Sequence, residues 1–184
     1  MNTTLPALLI YALWIALVVY LIAAGSKAKR DAKPHLGQSF LLMFAMMAAF
    51  ALPFVPSFRF LSAAASPVRG GIGLALAALG TVFFVWSRQT LGRNWSQTVS
   101  AKEGHELVTR GPYAYVRHPM YASGILSCLG SALAAGGCFV FLLLLLTPLF
   151  LWRVGAEDRL LARQFPDAFP AYKKRTKALI PFLW

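Results

Sequence analysis

The sequence predicts an all-α integral membrane protein with five transmembrane helices, the last two a short helical hairpin, and a polar, cytoplasmic C-terminal region. Three observations carry this. Hydrophobic residues make up 58% of the 184-residue chain, and they fall in long blocks rather than amphipathic stripes. The formal net charge is +12, and the basic residues gather after alternate apolar blocks. Nothing in the chain reads as strands alternating with helices, which excludes a soluble nucleotide-binding α/β domain.

The first block, residues 5–24, is uncharged and close to the ~20 residues that a bilayer core requires. No positive stretch precedes it, so it reads as an uncleaved helix rather than a signal peptide. The second block, 36–55, is closed by Pro53 and Pro56, and the third runs from 68 or 70 to 86. The fourth, 120–134, and the fifth, 139–152, are joined by a turn at Ala135-Gly136-Gly137. At roughly 15 residues each, these two fall short of a full span. The reading divides the chain into a three-helix membrane region, 1–86, and a second region, 87–184, holding the loop, the hairpin and the tail.

Charge placement orients the chain. Lys27, Lys29, Arg30 and Lys33 follow the first block. Arg88, Arg93, Lys102, Arg110 and Arg117 follow the third, and Arg153, Arg159, Arg163, Lys173, Lys174, Arg175 and Lys177 follow the fifth. Only Arg59 and Arg69 lie on the other side. The positive-inside rule places the N-terminus outside and the tail in the cytoplasm, as in a prokaryotic inner membrane. The expected partner of the basic residues is therefore an anionic lipid surface, not nucleic acid, because the charges flank apolar blocks and form no basic domain.

Small residues recur where helices would pack. Ser123, Ser127 and Ser131 repeat every four positions beside Gly124 and Gly130, and Gly73, Ala77 and Gly80 form a similar face on the third block. Cys128 and Cys138 sit in apolar sequence and read as small hydrophobes. His35, His105 and His118 are not at metal spacing, so no metal site is expected.

Polar chemistry is confined to two stretches. In 91–121, Gly111-Pro112 is a turn signal, and Pro119 suits the first turn of a helix, so the fourth helix is expected to begin at 117–119. The free N–H groups of that helix, with Arg117 beside them, would form an anion-binding end ringed by Tyr113, Tyr115 and Tyr121. In 151–181, Arg153 and Glu157 are four apart and share a helix face where the fifth block ends, with Asp158 adjacent. Ionisable groups at a membrane boundary are candidates for function. The run Lys173, Lys174, Arg175, Lys177 reads as a headgroup anchor, with Phe182 and Trp184 at the interface beside it.

The motifs "LGRNWS" (91–96), "HELVTRGPYAYVRHPMY" (105–121) and "EDRLLARQFPDAFPAYKKRTKALIP" (157–181) resemble, in this order, the isoprenylcysteine carboxyl methyltransferase family, to which phospholipid methyltransferases are related. The resemblance covers about residues 87–181. It implies a membrane methyltransferase that uses S-adenosylmethionine and acts on a lipophilic or lipidated acceptor. It also implies a cofactor site lined by His105, Glu106, Leu107, Val108, Tyr113, Arg117, His118, Pro119, Met120 and Tyr121. Glu157 would hold the cofactor's ammonium, and Arg153 would face the substrate; these two are the implied catalytic pair. The chain departs from the family pattern in Asp158 for a second Glu, Pro166 for Gly, and Phe169 for Tyr. Carboxylate, amine and thiol acceptors all remain open. Two rivals stand beside this reading. One is an NADPH-dependent reductase of the sterol-reductase type, against which Met120 speaks, since those enzymes carry Asn there. The other is a non-enzymatic membrane scaffold.

Overall fold

The computed structural model describes residues 5–25, 66–95 and 106–180. Within them lie five α-helices and two short 3-10 turns: α1 (Leu5–Gly25), α2 (Pro67–Leu91), turns at Gly92–Asn94 and Gly111–Ala114, α3 (Pro119–Ala135), α4 (Gly137–Gln164) and α5 (Ala168–Arg175). The apolar block 36–55, together with Phe182 and Trp184, lies outside the described residues. No strand occurs among the described residues; an isolated parallel bridge pairs Val116 with Lys177.

Local signals set the helix ends. Ser66 caps α2, its hydroxyl accepting from Arg69 N at 3.3 Å, and Pro67 follows at the first helical position. α2 stops at Gly92, whose φ of 53° suits a residue without Cβ. α3 begins on Pro119, as its sequence predicts. Gly136, at φ 87°, ends α3 and starts α4 in one step, which makes the hairpin tight.

Among the described residues, three helices are long and apolar enough to cross a membrane: Leu5–Ala24, Pro67–Leu91 and Phe139–Gln164. α3, at 17 residues, is shorter. The hairpin expected from the sequence forms, and its second helix runs out of the apolar block as the Arg153–Glu157 spacing implies. α4 runs on through the charged residues for 28 residues in all, because Arg153, Glu157 and their neighbours continue a helical pattern after the apolar run ends.

α3 packs most extensively on α2, and the small residues are the reason. A Cβ on Gly73 would lie 2.6 Å from Gly130 O, and one on Gly80 would lie 2.7 Å from Ser127 N. Backbones approach this closely only where side chains are missing or small. α1 closes the other side with Ile10, Trp14 and Leu17, which join Ala77, Cys128, Ala134, Phe139, Leu142 and Leu146 in one core. The Trp14 indole donates to Ser131 Oγ at 3.0 Å, satisfying its polar atom inside that core. Leu5, Ile15, Val19, Ile22, Val82 and Leu144 point outward, as lipid-facing residues do.

The helix directions bring one set of ends together. Arg88, near the end of α2, donates to Ala24 O at the end of α1 (2.9 Å) and to Gly92 O (2.9 Å). α3 runs antiparallel to α2, so its start lies at that same end, and the hairpin returns α4's C-terminal half to it.

Candidate active site

The described chain from Gly111 to Pro119 opens on a glycine with positive φ and a proline, which break a continuous helix, and it is held from the other side by the tail. Arg117 N donates to Lys177 O at 2.8 Å, and His118 N to Ala178 O at 3.0 Å. The Tyr172 hydroxyl donates to Tyr113 O at 2.7 Å. α5 supplies this anchor because it turns Phe169 and Tyr172 inward and leaves Lys173, Lys174 and Arg175 exposed. Burial raises the phenol pKa of Tyr113, and pushes that of Tyr172 up to about 12, so both stay neutral hydrogen-bonding groups.

At the start of α3, His118 meets the charged stretch of α4. Its Nε2 lies 2.8 Å from Asp158 Oδ1, and its Nδ1 lies 3.3 Å from Glu157 Oε2. The Tyr121 hydroxyl donates to Glu157 Oε1. Arg153 Nε donates to the same hydroxyl at 3.0 Å, and Arg153 Nη2 lies 3.6 Å from Glu157 Oε1. The Tyr121 ring stacks between His118, at 5.9 Å, and Phe150, at 5.0 Å. The result is a polar patch of alternating sign, backed by aromatic faces, where a membrane-length helix leaves its apolar run.

The two neighbouring carboxylates differ in openness. The Glu157 side chain is 27% exposed, whereas that of Asp158 is 13% exposed and ringed by cations: Arg117 Nη2 at 3.2 Å, Lys173 Nζ at 3.7 Å and His118. Glu157 is thus the carboxylate with room for a further partner. Burial alone would lower the pKa of His118, but hydrogen bonds to Asp158 and Glu157 outweigh it and hold the pKa above its usual value.

Of the residues singled out from sequence, Arg117, His118, Tyr121, Arg153 and Glu157 meet in this patch. Pro119 is buried behind it, and Met120, half-buried, accepts from Ser123 Oγ. Tyr113 is buried under the tail, while Tyr115 is exposed. Glu106, Leu107 and Val108 form an irregular segment leading into the Gly111–Ala114 turn, with the latter two half-buried. His105 lies outside the described residues. The Arg117 guanidinium turns toward Asp158 and the carbonyls of Lys173 and Thr176, so its observed partners are the acid and the tail.

Two groups escaped sequence reasoning. Asp158 stood out only as Glu157's neighbour, although adjacency to a helical ion pair was a usable signal. At Thr176, Lys177 and Ala178 it is the backbone carbonyls that bind Arg117 and His118, and no side chain there marks that, Lys177 standing out only as a surface charge.

A family model described as phospholipid methyltransferase matches residues 68–168. The cobalt-zinc-cadmium resistance protein CzcN of Cupriavidus metallidurans is 35% identical over 116 residues, covering 60% of this chain and 50% of that protein. The protein-S-isoprenylcysteine O-methyltransferase of Schizosaccharomyces pombe is 35% identical over 99 residues, covering 50% of this chain and 41% of that protein. The chain therefore spans about half the length of these curated relatives, or less. Among solved structures, the eukaryotic intramembrane Ras methyltransferase, an isoprenylcysteine carboxyl methyltransferase, shares the fold. Its TM-score is 0.66 at 21% identity, covering 99% of this chain and 70% of that one. Family match and shared fold agree with the motif order, and the chain belongs to the phospholipid methyltransferase family.

Proposed function

We propose that this protein is an integral membrane methyltransferase that takes its methyl group from S-adenosylmethionine and passes it to a lipophilic acceptor. The observation that carries the reading is the openness of Glu157, a carboxylate held by His118, Tyr121 and Arg153 at the end of a membrane-length helix. The donor set suits the cofactor. A carboxylate and aromatic faces match an ammonium and a sulfonium cation, and cationic side chains match an α-carboxylate. When bound, S-adenosylmethionine supplies an activated methyl group on a sulfonium centre.

The residues around it do the rest. Glu157 holds the ammonium, and Tyr113, His118, Pro119, Met120 and Tyr121 form the wall, with the His105-Glu106-Leu107-Val108 run contributing to the cofactor site by the resemblance of its motif. Arg117 braces the wall through Asp158 and the tail. Arg153, buried beneath Tyr121, orients an anionic group on the acceptor, which favours a carboxylate over an amine or thiol. Positioning of acceptor and methyl group, with water excluded, is the main catalytic task. The isoprenylcysteine methyltransferases among the relatives support a lipidated carboxylate, and the family match favours this reading over a sterol-type reductase.

We place the N-terminus outside and the tail in the cytoplasm of a prokaryotic inner membrane, with five spans divided between regions 1–86 and 87–184. The Arg88–Ala24 bond supports this count, since α1 and α2 end on the same side and the chain between them has to cross back. The block 36–55 is the segment apolar enough to do so.

The test is calorimetric binding of S-adenosylhomocysteine and NADPH to detergent-purified protein, with Glu157→Ala at matched thermal stability. Wild type is expected to bind the homocysteine product and not NADPH, and the variant to bind about 30-fold more weakly. Equal affinity in the two proteins removes Glu157 from the site, and NADPH binding alone overturns the reading. Methyl-labelled cofactor with membrane lipid extract then identifies the acceptor.

A further inference from the structure

His118 offers both ring nitrogens to carboxylates at once: Nε2 to Asp158 at 2.8 Å and Nδ1 to Glu157 at 3.3 Å. A neutral imidazole has one N–H and cannot donate to both acceptors; an imidazolium can. An ionised carboxylate can only accept, so two ionised acids facing one ring call for both of its protons. Glu157 already accepts from Tyr121 and lies near Arg153, whereas Asp158 draws two separate pieces of chain to α4: His118 and Arg117 ahead of α3, and Lys173 on α5.

We propose that Asp158 is a positioning residue for the site: it holds His118 doubly protonated, aims the second N–H at Glu157, and keeps Arg117 turned to the tail. Asp158 therefore acts on the open carboxylate through a neighbour and needs no contact with any ligand. Glu157 is fixed on one side by His118 and on the other by Tyr121 and Arg153, which leaves its exposed edge pointing in one direction. Without the Asp158 charge, the ring gives up a proton as pH rises, one tautomer leaves Glu157 without its donor, and Arg117 keeps only the tail carbonyls. The charged and titratable groups facing the ring are Glu157 and Asp158 on α4, with Tyr121 on α3 beside them. Arg117, Arg153 and Lys173 face the two carboxylates in turn. The raised pKa of His118 agrees with this arrangement.

The proposal rests on the methyltransferase reading only for its consequence, and its first readout needs no cofactor. Histidine-selective nitrogen-15 labelling of the full chain in nanodiscs, with the His118 signals assigned by their loss in His118→Gln, reports both ring nitrogens across pH. The expected wild-type ring is doubly protonated at pH 7 and titrates above 6.5, the value of an unperturbed histidine. In Asp158→Asn the titration should move down by about one pH unit or more, and in Asp158→Glu it should stay near wild type. The alkaline limb of S-adenosylhomocysteine affinity should move with it, which a merely structural loss, lowering affinity at every pH alike, would not produce. A neutral wild-type ring at pH 7 overturns the proposal even if no variant folds. So does an unchanged titration in folded Asp158→Asn. If wild type shows the expected ring but binds no S-adenosylhomocysteine, Asp158 keeps its role and the methyltransferase reading falls.

Discussion

The Tyr172 hydroxyl donates to the carbonyl of Tyr113 at 2.7 Å, a buried bond that joins α5 to the Gly111–Ala114 turn across more than fifty residues of chain. It is the polar pin through which the tail bears on the wall of the site.

Tyr172→Phe keeps the ring and its packing on Phe169 but orphans that carbonyl. The expected cost is about 1–3 kcal/mol of stability, the desolvation penalty of an unmet acceptor. Thermal unfolding in detergent measures it. Release of the tail should also weaken S-adenosylhomocysteine binding, whereas Tyr115→Phe, at an exposed position, should change neither quantity.

Helix contact between α2 and α3 makes a sharper comparison. A Cβ on Gly130 would collide with Ala77 N and lie 2.6 Å from Gly73 O, backbone atoms that cannot swing aside. Gly71 has nothing within 4 Å of the same addition. Gly130→Ala should therefore destabilise by about 1–3 kcal/mol or force the helices apart, and Gly71→Ala should be neutral or slightly stabilising. Similar unfolding temperatures for the two variants would contradict the close approach.

How much of this was visible in the chain itself depends on the range of the interaction. The start of α3 at Pro119, the hairpin glycine and the Arg153–Glu157 pair are local: proline at the first turn, a positive φ and a spacing of four are written in adjacent residues. The extension of α4 beyond its apolar run is local too, since the same spacing of four carries the helix into the charged stretch. The bond from Trp14 to Ser131 was not legible, since a serine in a small-residue stripe gives no sign of a distant indole. Arg117 illustrates the same limit at the site. Its position beside a helix start suggested an anion partner, but the direction of a long side chain is decided by Asp158 and by tail carbonyls that its own neighbourhood does not reveal.

Arg88 ties the membrane helices to the loop. Its guanidinium reaches Ala24 O and Gly92 O and lies 4.2 Å from the centre of the Trp95 ring. Arg88→Met should cost about 2–3 kcal/mol by removing two charge-assisted bonds. Arg88→Lys should recover less than half of that, because an ammonium cannot spread over two carbonyls and a ring as a planar fork does. Unfolding temperatures of the three proteins give the order directly; full rescue by lysine would show that charge alone matters.

α4 runs without a break from Gly137 to Gln164. From Phe139 to Glu157 the helical rise is about 27 Å before any bend at Pro148, which lies inside the helix, so one continuous helix sets how far Glu157 stands from the hairpin turn. The helix is a ruler as well as a wall: under the proposed function, an acceptor anchored by its lipid tail at a fixed depth would meet Arg153 and Glu157 at a height written in residue count. Adding one residue to that helix would turn Glu157 by about 100°, away from His118, without altering any side chain the site uses.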